Sequence, residues 1–148
     1  LLGAVPPFDP FADRFHQNAP DWIGSRSIDH LLKVYGTRAR AVLALAEAEP
    51  GLRTVISEES GAIGATIAFA FTDERARTLT DALLRRSMIG YAADAGFGAL
   101  DAAAAIAAHT QGWTTEQTAT EIDAYRAYMR RFLPLAEEAI LPMSKSAR

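Results

Sequence analysis

The residues whose types and spacing could do chemistry are concentrated in one stretch, ERARTLTDALLRRS, residues 74–87. Two adjacent arginines, Arg85 and Arg86, stand near the end of a predicted helix that begins at Thr78. Asp81 and Arg85 are four residues apart, so they face each other on a helix surface and form an ion pair worth about 0.2–0.5 kcal/mol. This spacing predicts that Arg85 is a solvated member of an ordinary surface pair.

Arg86 is placed differently, at the edge of the apolar stripe that contains Leu79 and Leu83. Its stem is covered there, and its guanidinium needs a hydrogen-bond acceptor. One acceptor would be local, either a carbonyl at a helix end or Glu74, because helix C-termini attract cations. The other would be an acidic group on another domain. Spacing alone leaves both interpretations open.

The other titratable residues do not form a catalytic or metal-binding pattern. His16, His30 and His109 lie far apart, with no second histidine or carboxylate at i+3 or i+4 on the same helix, so we expect no metal site. His30 stands beside Leu31 and Leu32, which predicts a satisfied, half-buried core histidine rather than a ligand or base. No dinucleotide or phosphate-loop signature occurs. We therefore expect no catalytic residue and no cofactor on this chain.

Length and composition indicate one globular domain. The 148 residues are 49% hydrophobic and 22% charged, which is enough to bury a core without disulfides. The net charge of -3 gives no overall attraction to nucleic acid or an anionic membrane. The longest apolar run, residues 61–71, is too short to span a bilayer. We expect no nucleic-acid partner and no transmembrane segment, and the absence of cysteine fits a cytoplasmic compartment.

Helix signals predict an all-α bundle of about six helices, preceded by an extended arm. Residues 1–24 are broken by prolines but carry aromatic anchors, residues 25–134 form the helical domain, and residues 135–148 form a tail. The first helix of the domain is expected to be capped by Ser27 and to stop at Gly36.

Later elements are predicted from capping residues and apolar spacing. A buried helix should start near Ser60, with Glu58 and Glu59 favoured at its positive end. We prefer helix to strand there, because no second strand candidate exists to pair with it. The next helix should open at Thr78 with an apolar stripe that reaches Met88.

The last two helices have the clearest boundaries. An alanine-rich helix should stop at Gly112, and a final helix should be capped by Thr114 or Thr115. Its buried face is predicted to contain four apolar residues and to end before Pro134. These four are Ile122, Tyr125, Met129 and Phe132.

Four short motifs resemble a known family. They are HLLKVYG at residues 30–36, E-x-A at 74–76, TLTDALLRRS at 78–87 and GW at 112–113. They come in the order and approximate spacing of the C-terminal helical domain of FAD-dependent glycerol-3-phosphate dehydrogenases and the related glycerophosphate oxidases. The proline-rich start is similar to the linker by which that family leaves its flavin domain.

The resemblance carries over position by position. The chain departs from the family pattern at Thr66, at Thr72 and Asp73, and at Ser87, so part of the usual charge network is lost. The positions that match and that we take as candidates for an interdomain contact are Tyr35, Gly36, Glu74, Asp81, Arg85, Arg86 and Trp113.

The resemblance implies that this chain is the accessory domain of a longer enzyme. In the family, the N-terminal domain binds FAD, oxidises glycerol 3-phosphate to dihydroxyacetone phosphate and passes electrons to quinone. The partner implied for this chain is that FAD domain of the same polypeptide. The resemblance also allows a homodimer and a parent peripheral to the inner face of the cytoplasmic membrane. The alternative is a free-standing helical module that binds another protein.

Overall fold

The computed structural model describes residues 9–132, and this part of the chain is mostly helical, as the sequence predicts. The short antiparallel strands β1 and β2 form its only sheet. The helices are α1 Asp9–Gln17, α2 Ser25–Tyr35, α3 Ala39–Ala48, α4 Gly64–Thr72, α5 Phe97–Gln111 and α6 Thr115–Met129. The strands are β1 Val55–Ser57 and β2 Ala62–Ile63, and a π-helix spans Asp81–Arg86.

Helix α4 lies at the centre of the fold. Residues 64–71 are all buried, as expected for a helix with no polar face. Ile67 and Phe71 pack into one core with α5, α6 and the π-helix. Ala65 and Phe69, about half a turn away, pack into a second core with α1, α2 and α3. The two cores therefore meet at α4, and the other helices pack around it.

Helices α5 and α6 pack on one side of α4. The predicted stop of α5 and start of α6 are correct, whereas α6 ends at Met129, before the predicted Phe132. Gly112 ends α5 in a left-handed conformation, with φ 68°. Thr114 opens α6 with a complete capping box: its hydroxyl accepts from the Gln117 N–H at 3.1 Å, and the Gln117 side chain accepts from the Thr114 N–H at 2.9 Å.

The predicted buried face of α6 is correct for Tyr125 and Met129, which are 0% and 4% exposed. Ile122 is partly buried against the same core. Phe132 was wrongly included, since it is 66% exposed. It follows the end of α6 in a 3₁₀ turn and contacts the Tyr128 ring. Pro134 lies outside the described residues.

The segment before α4 is a hairpin, so the predicted start near Ser60 is wrong. Val55 pairs with Ile63 across β1 and β2, which supplies the strand partner that the sequence reading missed. A strand of three residues is too short to give a clear period-2 signal in the sequence. Glu58 and Glu59 consequently lie in the hairpin turn, not at a helix N-terminus as predicted.

The arm before α2 is not extended where the structure describes it. Residues Asp9–Gln17 form α1. Pro10 is compatible with this helix, since it lies in the first turn, where a backbone N–H would have no partner inside the helix. Phe15 is 5% exposed and anchors α1 in the second core. The prolines and phenylalanine that precede Asp9 lie outside the described residues, as does the predicted tail 135–148.

Two helix boundaries also differ from the prediction. Helix α2 begins at Ser25 with Gly24 as its N-cap, so Ser27 is a buried residue inside the helix rather than the cap. The predicted stop at Gly36 is correct, with φ 56°. Met88 was expected on the apolar stripe but is 46% exposed, because the π-helix ends at Arg86 before the stripe reaches it.

Candidate functional site

A cleft of about 700 Å³ lies between α2, the hairpin turn and the π-helix. Three separate parts of the sequence form its walls, so it exists only in the folded chain. The lining residues are Arg26, Asp29, His30, Lys33, Val34, Glu59, Ser60, Glu74, Arg85, Arg86, Met88, Tyr91 and Ala92.

Helix α2 supplies the wall that is richest in polar groups. Arg26, Asp29, His30 and Lys33 recur at i, i+3, i+4 and i+7, the spacing that places side chains on one helix face. Ile28, on another face, is buried in the second core. Helix α2 therefore holds the polar wall of the cleft by burying its apolar residues elsewhere.

His30 occupies the inner part of this wall. It is 7% exposed, and its Nε2 has no hydrogen-bond partner among the described residues. Burial, with a smaller effect from the Lys33 charge, lowers the pKa of His30 to about 4. The imidazole is therefore neutral at pH 7. The prediction of a buried histidine is correct, but the prediction that its hydrogen bonds are satisfied is wrong.

Glu74 lies at the back of the cleft and is held by an ion pair. Arg38 Nη1 donates to Glu74 Oε1 at 2.7 Å, while Oε2 is buried without a partner among the described residues. The Arg38 guanidinium also lies 4.9 Å from the centre of the Phe69 ring. Burial and then the negative charge of Glu74 raise the pKa of Tyr35. Tyr35 is therefore a neutral phenol packed beside a carboxylate.

The two adjacent arginines have different environments, as predicted. Arg85 pairs with Asp81 one turn earlier, and its side chain is 58% exposed. Arg86 is half-buried, and its Nε donates to the Glu74 carbonyl oxygen at 3.1 Å. The local acceptor that the sequence allowed is thus present. The Arg86 Nη atoms have no hydrogen-bond partner within the described part of the chain.

Two large apolar side chains form the rim of the cleft beyond the arginines. Met88 has a left-handed backbone with φ 61°, a conformation that costs a non-glycine residue about 1–2 kcal/mol. Tyr91 is 71% exposed. Ser87 fixes the turn between them and the π-helix, since its N–H and Oγ both donate to the Ala82 carbonyl, at 2.9 and 2.8 Å.

The predicted site residues are only partly brought together. Glu74, Arg85 and Arg86 line the cleft. Asp81 does not line it but forms an ion pair with Arg85, and Tyr35 lies behind Glu74. Gly36 is a helix cap whose N–H donates to the Leu32 carbonyl. Trp113 lies elsewhere, with its ring edge-to-face on Phe71 at 5.4 Å.

The sequence analysis did not identify several residues that line the cleft, among them Arg26, Lys33, Met88 as a rim residue, and Tyr91. A usable signal was present for the first two, because they share the i, i+3, i+4, i+7 series with His30. No comparable signal marks Met88 and Tyr91, which depend on how the chain leaves the π-helix.

A bound dinucleotide does not fit the one strand-to-helix turn that the structure describes. Pyrophosphate binding needs open backbone N–H groups at a glycine turn. Here β2 leads directly into α4, but a Cβ atom on Gly64 would lie 2.9 Å from Ile106 Cδ1. Protein therefore fills the space at this helix N-terminus.

Residues 9–132 contain no cluster of three or more histidine, aspartate or glutamate side chains that could hold a metal ion. None of the described helices has the length and apolar run that a membrane crossing would need.

Comparison with known proteins gives consistent matches. The family model for the C-terminal domain of alpha-glycerophosphate oxidase matches residues 2–118. A Synechocystis sp. glycerol-3-phosphate dehydrogenase is 38% identical over 106 residues, which is 71% of this chain and 19% of that protein. Glycerol-3-phosphate dehydrogenase 2 of Mycobacterium bovis is 31% identical over 128 residues, 86% of this chain and 22% of that protein.

The glycerol-3-phosphate dehydrogenase of Mycobacterium leprae is 32% identical, also over 128 residues, 86% of this chain and 22% of that protein. No solved structure matches the chain. The chain thus spans about one fifth of the length of the curated relatives that it matches.

Proposed function

The chain belongs to the family of the C-terminal domain of alpha-glycerophosphate oxidase, and we propose that it is the accessory helical domain of a flavin-dependent glycerol-3-phosphate dehydrogenase. The family match over residues 2–118 carries this proposal. In the proposed parent, FAD and glycerol 3-phosphate are bound by the N-terminal domain, which oxidises the substrate to dihydroxyacetone phosphate and passes electrons to quinone. In that enzyme, this chain has a structural role.

The structural role that the geometry supports is docking on the catalytic domain. The cleft has unused hydrogen-bond donors, and its rim exposes Met88 and Tyr91. A surface of this composition suits contact with protein, because interfaces combine aromatic residues, methionine and arginine. Of the seven predicted interdomain candidates, we retain Glu74, Asp81, Arg85 and Arg86 for this contact. Tyr35 supports it from behind.

We assign the remaining candidates and boundaries as follows. Gly36 and Trp113 maintain the fold of the domain. Residues 1–24 connect it to the flavin domain, and their described part is anchored through Phe15 and Ile23, which are buried. The helical domain proper runs from residue 25 to 134, followed by a tail. We place the parent in the cytoplasm, with a peripheral position at the membrane as its route to quinone.

The test is to express the complete reading frame that contains this chain. We expect a yellow protein that reduces an artificial quinone when glycerol 3-phosphate is added, whereas the 148-residue chain alone is expected to be colourless and inactive. A reading frame without a flavin domain would contradict the proposal and would leave a free-standing helical interaction module.

A further inference from the structure

We propose that the cleft binds a carboxylate-bearing segment of the catalytic domain of the same polypeptide, with Arg86 and Lys33 holding the carboxylate and Met88 and Tyr91 covering apolar side chains beside it. This inference rests on the proposed function and adds the chemistry of the docking contact. The occupant is thus an aspartate or glutamate flanked by apolar residues.

The first support is the set of unused donors on the cleft wall. Lys33 makes no hydrogen bond or salt bridge with any residue from 9 to 132, and Arg86 uses only its Nε. A guanidinium with both Nη atoms available can bind a carboxylate through two parallel bonds, which gives both energy and orientation. Lys33 adds a compact second charge.

The second support is that each carboxylate of the cleft already has an oxygen engaged. Asp29 Oδ1 lies 2.9 Å from His16 Nε2, and the nearer Glu59 oxygen accepts from the Ala93 N–H at 2.9 Å. Glu74 Oε1 is paired with Arg38, and its Oε2 is buried. These contacts hold the negative groups in place, while Lys33 and the Nη atoms of Arg86 have no acceptor among the described residues. An acceptor-rich ligand therefore matches the cleft better than a donor-rich one.

The third support is His30, whose buried Nε2 has no partner among the described residues. An unsatisfied polar atom at this burial is destabilising. Once a shift of the side chain opens Nε2 to the cleft, a neutral imidazole can donate one hydrogen bond to an incoming carboxylate without adding a buried charge. Docking would thus satisfy an atom that the isolated domain leaves unpaired.

The fourth support is the apolar rim. The left-handed backbone at Met88 carries strain that burial of its own side chain does not offset, since that side chain is 46% exposed. A partner that covers Met88 and Tyr91 would offset this cost. The chain spans about one fifth of its curated relatives, so the remaining four-fifths provide the surface of this partner.

Zero-length crosslinking tests the proposal directly. A water-soluble carbodiimide activates a carboxylate, and an amine within contact distance displaces the activated group to form an amide, with the carbodiimide released as its urea. Within these 148 residues the lysines are Lys33 and Lys145, and the mass of the peptide that contains Lys33 identifies its products by mass spectrometry. In the full-length flavoprotein, we expect an intramolecular amide between Lys33 and an aspartate or glutamate of the flavin domain.

Three variants sharpen the result. Arg86→Gln should lower the yield of the Lys33 crosslink roughly tenfold, because it removes the guanidinium that holds the docked carboxylate beside Lys33. Arg126→Gln is the matched control and should leave the yield unchanged, since Arg126 is outside the cleft. Replacing the crosslinked acidic residue with its amide should abolish the product, and this variant leaves the helical domain untouched.

Several results would overturn the proposal. The first is a Lys33 amide to a second copy of the chain. The second is no crosslink, together with a Lys33 amine that acetic anhydride acetylates freely with release of acetate. The third is no crosslink, together with protection of Lys33 from acetic anhydride by inorganic phosphate, which would assign the cleft to a free anion. Each could occur in a yellow, active enzyme, in which the proposed function stands. Absence of flavin from the full-length protein would instead contradict the proposed function itself.

Discussion

Two buried tyrosines, one on the α6 side of the molecule and one on the cleft side, differ in whether their hydroxyl groups are hydrogen-bonded. Tyr125, in α6, is 0% exposed, and its hydroxyl donates to the Ala95 carbonyl at 2.7 Å. Tyr35, at the end of α2, is 4% exposed, and its hydroxyl has no partner among the described residues. Thr66 lies close to Tyr35 but donates to the Ile63 carbonyl at 2.7 Å.

The difference extends beyond the tyrosines. On the α6 side, the Glu121 carboxylate accepts from the Leu79 N–H at 2.9 Å and so satisfies a donor before the π-helix. On the cleft side, His30 Nε2 and Glu74 Oε2 are buried without partners in the described chain. Buried polar atoms are nearly always paired in folded proteins. The named polar groups are thus paired on the α6 side and unpaired on the cleft side, and this difference supports the docking contact proposed above.

The largest expected contrast lies between two residues that the sequence places on one apolar stripe. Leu83→Ala should destabilise the chain by about 2–5 kcal/mol, because it opens a cavity at a side chain that is 0% exposed. Met88→Ala should change the stability by less than about 0.5 kcal/mol, because Met88 is half-exposed. Urea unfolding of both variants measures this. Equal losses would mean that the rim belongs to the core.

The next effect is a dependence of stability on pH that comes from the cleft side. The pKa of His30 is about 4 in the folded chain and 6.5 when unfolded, so between these values only the unfolded state binds the proton. The contribution of His30 to the free energy of unfolding is therefore fully present above pH 6.5. It falls by about 2–3 kcal/mol in total as the pH drops to 4.

His30→Gln is the control for this dependence, since glutamine keeps a polar side chain but does not titrate. Its unfolding free energy should fall less steeply between pH 6.5 and 4 than that of the parent chain. Identical slopes would show that other groups, such as the carboxylates in the cleft, dominate the acid response.

How much of this could be predicted from the sequence differs between the two sides. The end of α5 and the start of α6 depend on local chemistry, Gly112 as a left-handed stop and Thr114 as the N-cap. The stop at Gly112 was predicted correctly, and Thr114 is one of the two caps that the sequence allowed. The split between a solvated Arg85 and a half-buried Arg86 also followed from helical spacing. These features need no knowledge of distant contacts.

The cleft could not be predicted in the same way. The π-helix replaces 3.6-residue spacing by i→i+5 hydrogen bonds, so the stripe that should reach Met88 ends early. The hairpin partner of β2 is a three-residue strand, too short for a periodic signal. The pairing of Glu74 with Arg38 joins residues 36 positions apart, and spacing says nothing about such a contact.

A smaller effect should separate the two arginines. Arg86→Ala should cost about 1–2 kcal/mol, because it removes a covered stem and leaves the Glu74 carbonyl without its donor. Arg85→Ala should cost less than about 0.5 kcal/mol, since the ion pair with Asp81 is exposed. Thermal unfolding and urea unfolding of the two variants measure these losses of stability. If both losses are small, the paired arginines are a solvated helix end.

In the proposed full-length enzyme, the same Arg86→Ala variant should lower activity while leaving the flavin content unchanged. The reason is that the proposal assigns Arg86 to the domain contact rather than to the binding of cofactor or substrate. A loss of flavin in parallel with activity would contradict this assignment and point to misfolding of the whole protein.

The smallest effect returns to the two tyrosines and is the most direct comparison of the two sides. Tyr125→Phe should cost about 1–2 kcal/mol, because the buried Ala95 carbonyl loses its only described donor. Tyr35→Phe should change stability by no more than about 0.5 kcal/mol, and in either direction, since it removes a desolvated hydroxyl that bonds to nothing in the described chain. Each substitution deletes one oxygen from a ring that stays buried, so packing is nearly constant and the difference isolates the hydrogen bond. A clear loss from Tyr35→Phe would show that its hydroxyl is satisfied within the domain, and the cleft side would then be as complete as the α6 side.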